Sequence, residues 1–346
     1  FAAGGDDTSD VPSTSVQAQA EGSYERAVVE AVSIQDQKTT STGQQVQIYR
    51  IRFLSGSSDG KEQDISSDVG SNPYGLSPTV GDKVVIFVQS AQDGSSSHYY
   101  LEGFDRRAAL MGLVALFVAM LIVLSGWQGL KVALSIGISI ALIGYVLVPL
   151  FLRGYNPVPI AIILSGIFTL IGTGLSTGWN RKSLVTAVGT MGGAMVAYAV
   201  SWIFADWAHL SGLATEEDRM FFDKNPLLHP RGLLFAGIIV ASAGVVEDVA
   251  VSIVSGVAEV RKANHRLSMR ELFTAGMVIG KDHMAALANT LVYAYVGGSL
   301  STLLLYKQIG GSWLKFINFD SIVDDIVRSL SGTIGLNFTV PISALL

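Results

Sequence analysis

The sequence predicts a mainly α-helical, polytopic membrane protein of about seven transmembrane helices with a re-entrant or interfacial half-helix, preceded by a small N-terminal antiparallel β-barrel of the OB or SH3-like kind. Three observations carry that reading. The mean hydropathy is +0.45 and only 15% of the 346 residues are charged, against roughly 25% in soluble domains. Apolar stretches of about twenty residues, the length that spans a bilayer, recur from Ala108 onward. Before them, short alternating runs are separated by turn clusters such as SGSSDG and QDGSSS, a strand pattern.

Residues 1–22 are rich in Ser, Asp, Gln, Ala and Gly, too apolar-poor to offset the entropy of ordering, and read as a flexible tail. FAAGG without an initiator Met reads as a processed or trimmed start. Residues 23–105 hold the expected strands Arg26 to Ile34, Gln45 to Phe53, Lys61 to Ile65, Lys83 to Val88 and Tyr99 to Phe104. Tyr99 and Tyr100 are expected as a core or edge pair rather than a binding platform. The membrane domain, 106–346, holds expected spans Ala108 to Trp127, Leu130 to Leu152, Pro157 to Leu175, Leu184 to Ala205, Gly232 to Ala258, Ala286 to Tyr306, and Ile326 to the end. The chain stops in apolar sequence at Leu346, as a longer or cut protein would.

The net charge is −5 and no long basic run is present, which sets nucleic acid aside; with no cysteine there is no thiolate chemistry. Arg261, Lys262, Arg266 and Arg270, with Arg181 and Lys182 on the same side, point those loops to the cytoplasm. Bases on the other side nearly balance them, so the N-terminal domain is placed outside the cytoplasm chiefly by the signal-like start.

The fifth span carries the chemistry. Gly237, Ala241, Gly244, Asp248, Ser252, Ser255 and Glu259 follow steps of 4, 3, 4, 4, 3 and 4, one small and polar stripe. An ionisable side chain at bilayer depth costs about 2.5 to 3.5 kcal/mol, so Asp248 is expected to face inward. Glu247 lies about 100° away and needs a different partner. In MRELFTAGMVIGKDHMA, residues 269–285, a half-helix is expected with its break at Gly280. Asp282, Ala286, Asn289, Tyr293 and Gly297 form a second stripe, with His283 and Thr290 beside it. Lys281 reads as a snorkelling or Asp-paired residue, and Arg328 as an Asp324 partner or a counter-ion to Asp248. Gly189, Gly192 and Gly193 in GTMGGAM read as a close helix contact rather than a phosphate cradle, and EEDRMFFD as a solvated acidic loop.

The segments RGYNP, NRKS, RGLLFAGII, VEDVAVSI, SMRELFTAGMVIGKDHM, NTLVYAYVGGSL and IVRSLSGTIGL, in that order between Arg153 and Leu336, resemble the YibE/F family of bacterial multi-pass membrane proteins. The resemblance covers nearly the whole membrane region. It implies a bacterial cell membrane protein with an extracytoplasmic N-terminal domain and a family function usually read as transport. The chain departs from the family pattern at Glu247, Lys281 and His283, which adds ionisable groups at the proposed site.

The leading expectation is a secondary transporter or channel for a small solute or ion, proton- or cation-coupled through Asp248. Ser252, Ser255, Glu247, Asp282, His283, Asn289, Thr290 and Arg328 are the accompanying ion- or substrate-binding residues. The alternative is a non-transport sensor or assembly module whose β domain binds an envelope partner. A hydrolase with an Asp248 and Asp282 dyad is set aside because neither context matches GxGD and no HExxH occurs. No cofactor is expected. The expected partners are the lipid bilayer, a small solute or cation, an envelope protein, and a second copy of the chain through the glycine-lined faces.

Overall fold

The computed structural model describes residues 22–36, 45–68, 76–90, 97–308 and 312–346; the expected tail, apart from Gly22, and most of QDGSSS lie outside them. The chain divides into two compact units, Phe1–Leu116 and Phe117–Leu346.

In the first unit, β1 (Gly22–Asp36), β2 (Gln45–Phe53), β3 (Glu62–Asp68), β4 (Lys83–Ser90) and β5 (Ser97–Phe104) form one antiparallel sheet in the order β3-β2-β1-β4-β5. The two outer strands, β3 and β5, approach each other, so the sheet curls into a half-barrel. Alternation sets the faces: Ala27, Val29, Tyr49, Ile51, Phe53, Ile65, Val84, Ile86 and Val88 point inward as the core. Glu25 is buried yet satisfied, its carboxylate accepting from Ser57 N and Oγ at 3.0 Å each and from Ser58 N at 3.3 Å. It ties β1 to the turn after β2.

Helix starts follow the local chemistry. The Asp105 carboxylate accepts from Arg107 N at 3.2 Å and from the Arg107 guanidinium at 2.8 and 2.7 Å, opening α1 (Arg107–Ser125), a helix with no buried residue. Gly126, at φ +56°, makes the turn into α2 (Trp127–Leu142). A π turn at Ile143–Leu147 joins α2 to α3 (Val148–Leu152). It lies just before Pro149, which has no N–H to continue the ladder. Asn156 caps α4 (Pro157–Thr177) and Asn180 caps α5 (Arg181–Trp207), each through its side-chain oxygen. The acidic segment 216–224 forms a short helix, α6 (Glu216–Lys224), closed by a Thr215 and Asp218 capping box. The long α7 (Pro230–Ala263) follows, then α8 (Met269–Gly298), opened by a Ser268 and Glu271 capping box. Two short helices, α9 (Leu300–Gln308) and α10 (Trp313–Ile317), precede α11 (Asp320–Leu345).

Among the described residues, five helices are long and apolar enough to cross a membrane: Arg107–Ser125, Trp127–Leu152, Pro157–Ser176, Arg181–Trp207 and Pro230–Ala263. They coincide with the first five expected spans. The expected sixth begins midway along α8 and runs past Gly298 into α9, and the seventh falls on α11, which is long but rich in Ser, Thr and Gly. The half-helix with a break at Gly280 is not found. The α8 helix is continuous through that glycine, because the missing side chain admits Val340 of α11, whose Cγ1 lies 2.2 Å from where a Cβ would stand. A glycine in a helix interior costs about 1 kcal/mol, too little to break a long helix by itself.

The bundle is organised on α11, which packs against α5, α7 and α8, while α7 also packs against α4 and α5, and α2 lies on α4. The α5–α11 crossing is a backbone contact, as GTMGGAM suggested. A Cβ on Gly193 would meet Thr339 Oγ1 at 1.9 Å and Val246 at 2.7 Å, and one on Gly335 would meet the Gly193 carbonyl oxygen at 2.7 Å.

Two outcomes follow from these contacts. Gly193→Val prevents the α5–α11 approach and abolishes recovery of folded, monodisperse protein, whereas Gly244→Ala, with nothing within 4 Å of the added carbon, is recovered like the parent; equal recovery of both would contradict the packing described. Hydrogen bonding by the Arg107 guanidinium holds the Asp105 carboxyl at about 2, below its unfolded value of about 3.9. Its contribution is therefore present above about pH 4 and lost as pH falls through about 2. Amide exchange in the first turn of α1 should be faster in Asp105→Asn than in the parent at neutral pH, with the difference vanishing near pH 2.

Candidate functional site

The α7 helix places two neighbouring carboxylates in opposite surroundings near its middle, roughly 26 Å from its first residue at about 1.5 Å per residue. The rotation is set by packing: Val246, Val249, Ala250 and Ile253 are fully buried against the bundle, all but Ala250 in a cluster that includes Leu336 and Val340 of α11. Glu247 then turns towards α4, where Thr169 Oγ1 lies 3.2 Å from its Oε2. Asp248 is turned the other way and is exposed within the chain, with Ala241 and Gly244 on the same open face and Ser252 and Ser255 half-buried at its edge. The inward position expected of Asp248 belongs to Glu247. The β-branched side of α7 fills the core, and the small stripe is left uncovered by this chain's own helices.

The uncovered stripe of α7 adjoins that of α8. The two helices run antiparallel, Ile279 lying 2.7 Å from a Cβ placed on Gly256 and Val257 lying 3.0 Å from one on Gly276. The unbroken α8 carries Lys281 and Asp282 about 18 Å or more from its start. Lys281, Asp282, Ala286, Asn289, Thr290 and Tyr293 are all exposed. His283 is half-buried, with Nδ1 3.0 Å from the Ile279 carbonyl oxygen, a helix-internal contact. Among the described residues, no ion pair involves Asp248, Lys281 or Asp282.

Arg328 stands elsewhere. Its Nη1 lies 3.1 Å from a Cβ placed on Gly237, three turns from Asp248 along α7, and its guanidinium carbon is 6.0 Å from the Tyr295 ring centroid. It is therefore not a counter-ion to Asp248. Its Nε is buried without a hydrogen-bond partner. Asp324 is buried one turn away, and Asp325 is held by the Ser299 hydroxyl.

A hydroxyl column on α4 was missed in the sequence. Ser165, Thr169 and Thr173 are buried and Ser176 half-buried, at steps of 4, 4 and 3 down one face. The spacing was legible, but α4 has no ionisable residue to draw attention to it. Across from it, α2 contributes buried Ser135. Lys182 meets Glu259 at 3.6 Å, which sets NRKS beside the end of α7 and makes this the basic end of the bundle, as the loop charges implied. Among the described residues no group of three or more His, Asp or Glu could hold a metal ion.

No curated protein and no solved structure matches the chain. The family model described as YibE/F-like protein matches residues 113–346, more than half of the chain. The match takes in the five apolar spans almost entirely, both carboxylates, the α4 column and α11, and the chain belongs to the YibE/F-like family.

Proposed function

We propose that this protein is a secondary transporter or channel for a small solute or ion, coupled to protons or cations through the carboxylates at the middle of α7. The observation that carries the reading is the pairing of Glu247, hydrogen-bonded to Thr169, with an outward-facing Asp248 at the same depth. Two adjacent acids at that depth are costly as mere helix contacts. In this reading α8 and α11 cross the bilayer beside the five apolar helices, for seven spans in all. The chain sits in the bacterial cell membrane with its β domain, an OB- or SH3-like barrel, outside the cytoplasm. The polar face shared by Asp248, Asp282, Asn289 and Thr290 lines a water-filled path or is covered by a second copy of the chain, because lipid would leave it unsatisfied. His283, Ser252 and Ser255 edge that face, Arg328 marks its far end, and no catalytic step is required.

One observation favours a second reading, a sensor or assembly module. Tyr24, Phe87 and Tyr100 make a cross-strand row on β1, β4 and β5, with ring centroids 5.0 and 6.4 Å apart, and Tyr24 and Tyr100 are exposed. Tyr99, the other residue of that pair, packs instead on Phe53 in the core. Such a row suits an envelope partner.

A thermal-stability screen of the solubilised protein against monovalent and divalent cations, small anions and pH identifies a ligand. One that binds the folded state adds about 2.7 kcal/mol at a hundredfold excess over its dissociation constant. Flux of that ligand in vesicles should depend on pH in the parent and lose that dependence in Asp248→Asn, which is fixed in the neutral state. A variant with the parent's pH-dependent flux would end the coupling role of Asp248.

A further inference from the structure

We infer that Glu247 is a proton-exchange site, reached from the basic end of the bundle along a polar seam between α2 and α4. This deepens the transport reading, and rests on it only for the purpose the proton serves. The site is built. Thr169 Oγ1 is 3.2 Å from Oε2, and a Cβ on Gly172 would stand 2.8 Å from Oε1 and 3.5 Å from Ser135 Oγ, so the glycine opens the space into which carboxylate and hydroxyl both reach. From there the hydroxyls of α4 continue turn by turn through Thr173 to Ser176, whose carbonyl accepts from exposed Gln128 Nε2 at 2.8 Å. Most of these hydroxyls donate to carbonyls of their own helix, Thr173 to Thr169 O at 2.6 Å and Ser176 to Gly172 O at 2.7 Å. A hydroxyl that donates in this way can still accept a hydrogen bond, which suits water or hydronium.

The charges around Glu247 select a proton over a metal ion. Its own helix offers Asp248, turned outward. The α2 helix offers Lys131, half-buried and one turn from Ser135 on the same face. The α4 helix has no ionisable residue, and the buried residues of α5 include none. A lysine on the route adds no ligand for a metal ion, since an ammonium only donates. One carboxylate and two hydroxyls fall short of the six or so oxygens that hard divalent ions take. In the exchange step, a hydronium in the seam loses a proton to a Glu247 oxygen; one O–H bond breaks, one forms, and water and a neutral carboxylic acid remain.

The test is infrared pH-difference spectroscopy on the full chain in lipid vesicles, in H2O and D2O. Asp248 and the buried Asp324 carry carboxyl groups of their own, so the Glu247 band is read as the pH-dependent carboxylic acid carbonyl component, shifted on deuteration, that the parent shows and Glu247→Gln lacks. The same component should be lost when Glu247→Gln is added to Asp248→Asn, and be displaced in Thr169→Val, which keeps the acid but removes its partner. Ser135→Ala should slow its deuteration. A carbonyl region that Glu247→Gln leaves unchanged, in the parent or in Asp248→Asn, or a Glu247 component that never exchanges with D2O, overturns the assignment. The two proposals fail separately: the Glu247 band without flux of any ligand removes the transport reading and leaves the site, whereas Asp248-dependent flux without that band does the reverse.

Discussion

The structure depends on the close crossing of α5 and α11. Gly193 and Gly335 bring the two backbones together with no side chain between them, and Val246 of α7 seals the crossing from the third side. Membrane helices gain little from the hydrophobic effect against one another, so such small-residue contacts carry much of the packing. Once Val246 is committed there, the rotation of α7 is settled. Glu247 must point towards α4 and Asp248 away from the bundle, since consecutive residues of a helix differ by about 100°. The glycines of one helix pair thus decide the environment of two acids on another.

This also explains a central helix that is among the less apolar. Ser329, Ser331, Thr339 and Ser343 of α11 are buried, and several helix hydroxyls bond to the carbonyl four residues before, as Thr339 does to Gly335 at 2.9 Å. A hydroxyl bonded in this way is small and internally satisfied and leaves an oxygen available, whereas Ser329 Oγ and Ser343 Oγ are buried without a hydrogen-bond partner. The same economy appears in the α4 column, where it meets a carboxylate. In α11 the hydroxyls of Thr339 and Ser343 lie instead against Gly193 and Gly189 of α5.

Much of the fold was legible. Alternation gave all five strands and hydropathy the five apolar helices, because both patterns are local. The α7 stripe was also read as a stripe, but its direction was not, since a helical wheel shows which residues share a face and not which face a neighbour takes. The inward assignment went to Asp248 on cost alone, while the packing of Val246, Val249 and Ile253 gave it to Glu247. Gly280 failed for a related reason: a glycine before Lys281, Asp282 and His283 looks like a break until Val340 of α11 is seen to occupy the space. The α4 hydroxyls had the right spacing, yet nothing in one sequence says that Glu247 lies across from Thr169.

The outer surface of the membrane unit carries two kinds of face, and one solvent does not suit both. Exposed Leu130, Leu134, Ile136 and Ile140 make the free side of α2 apolar, a surface that hydrocarbon solvates without penalty. The joined face of α7 and α8 instead presents Asp248, Asp282, Asn289 and Thr290 at comparable depth. Hydrocarbon would charge each ionised group about 2.5 to 3.5 kcal/mol. Whatever covers this face must therefore supply hydrogen bonds, as water or as polar side chains. Glu247 is shielded from that requirement by α4 and α2. Its neighbour is not, so the adjacency of the two acids joins a site enclosed by this chain to a face that the chain leaves open.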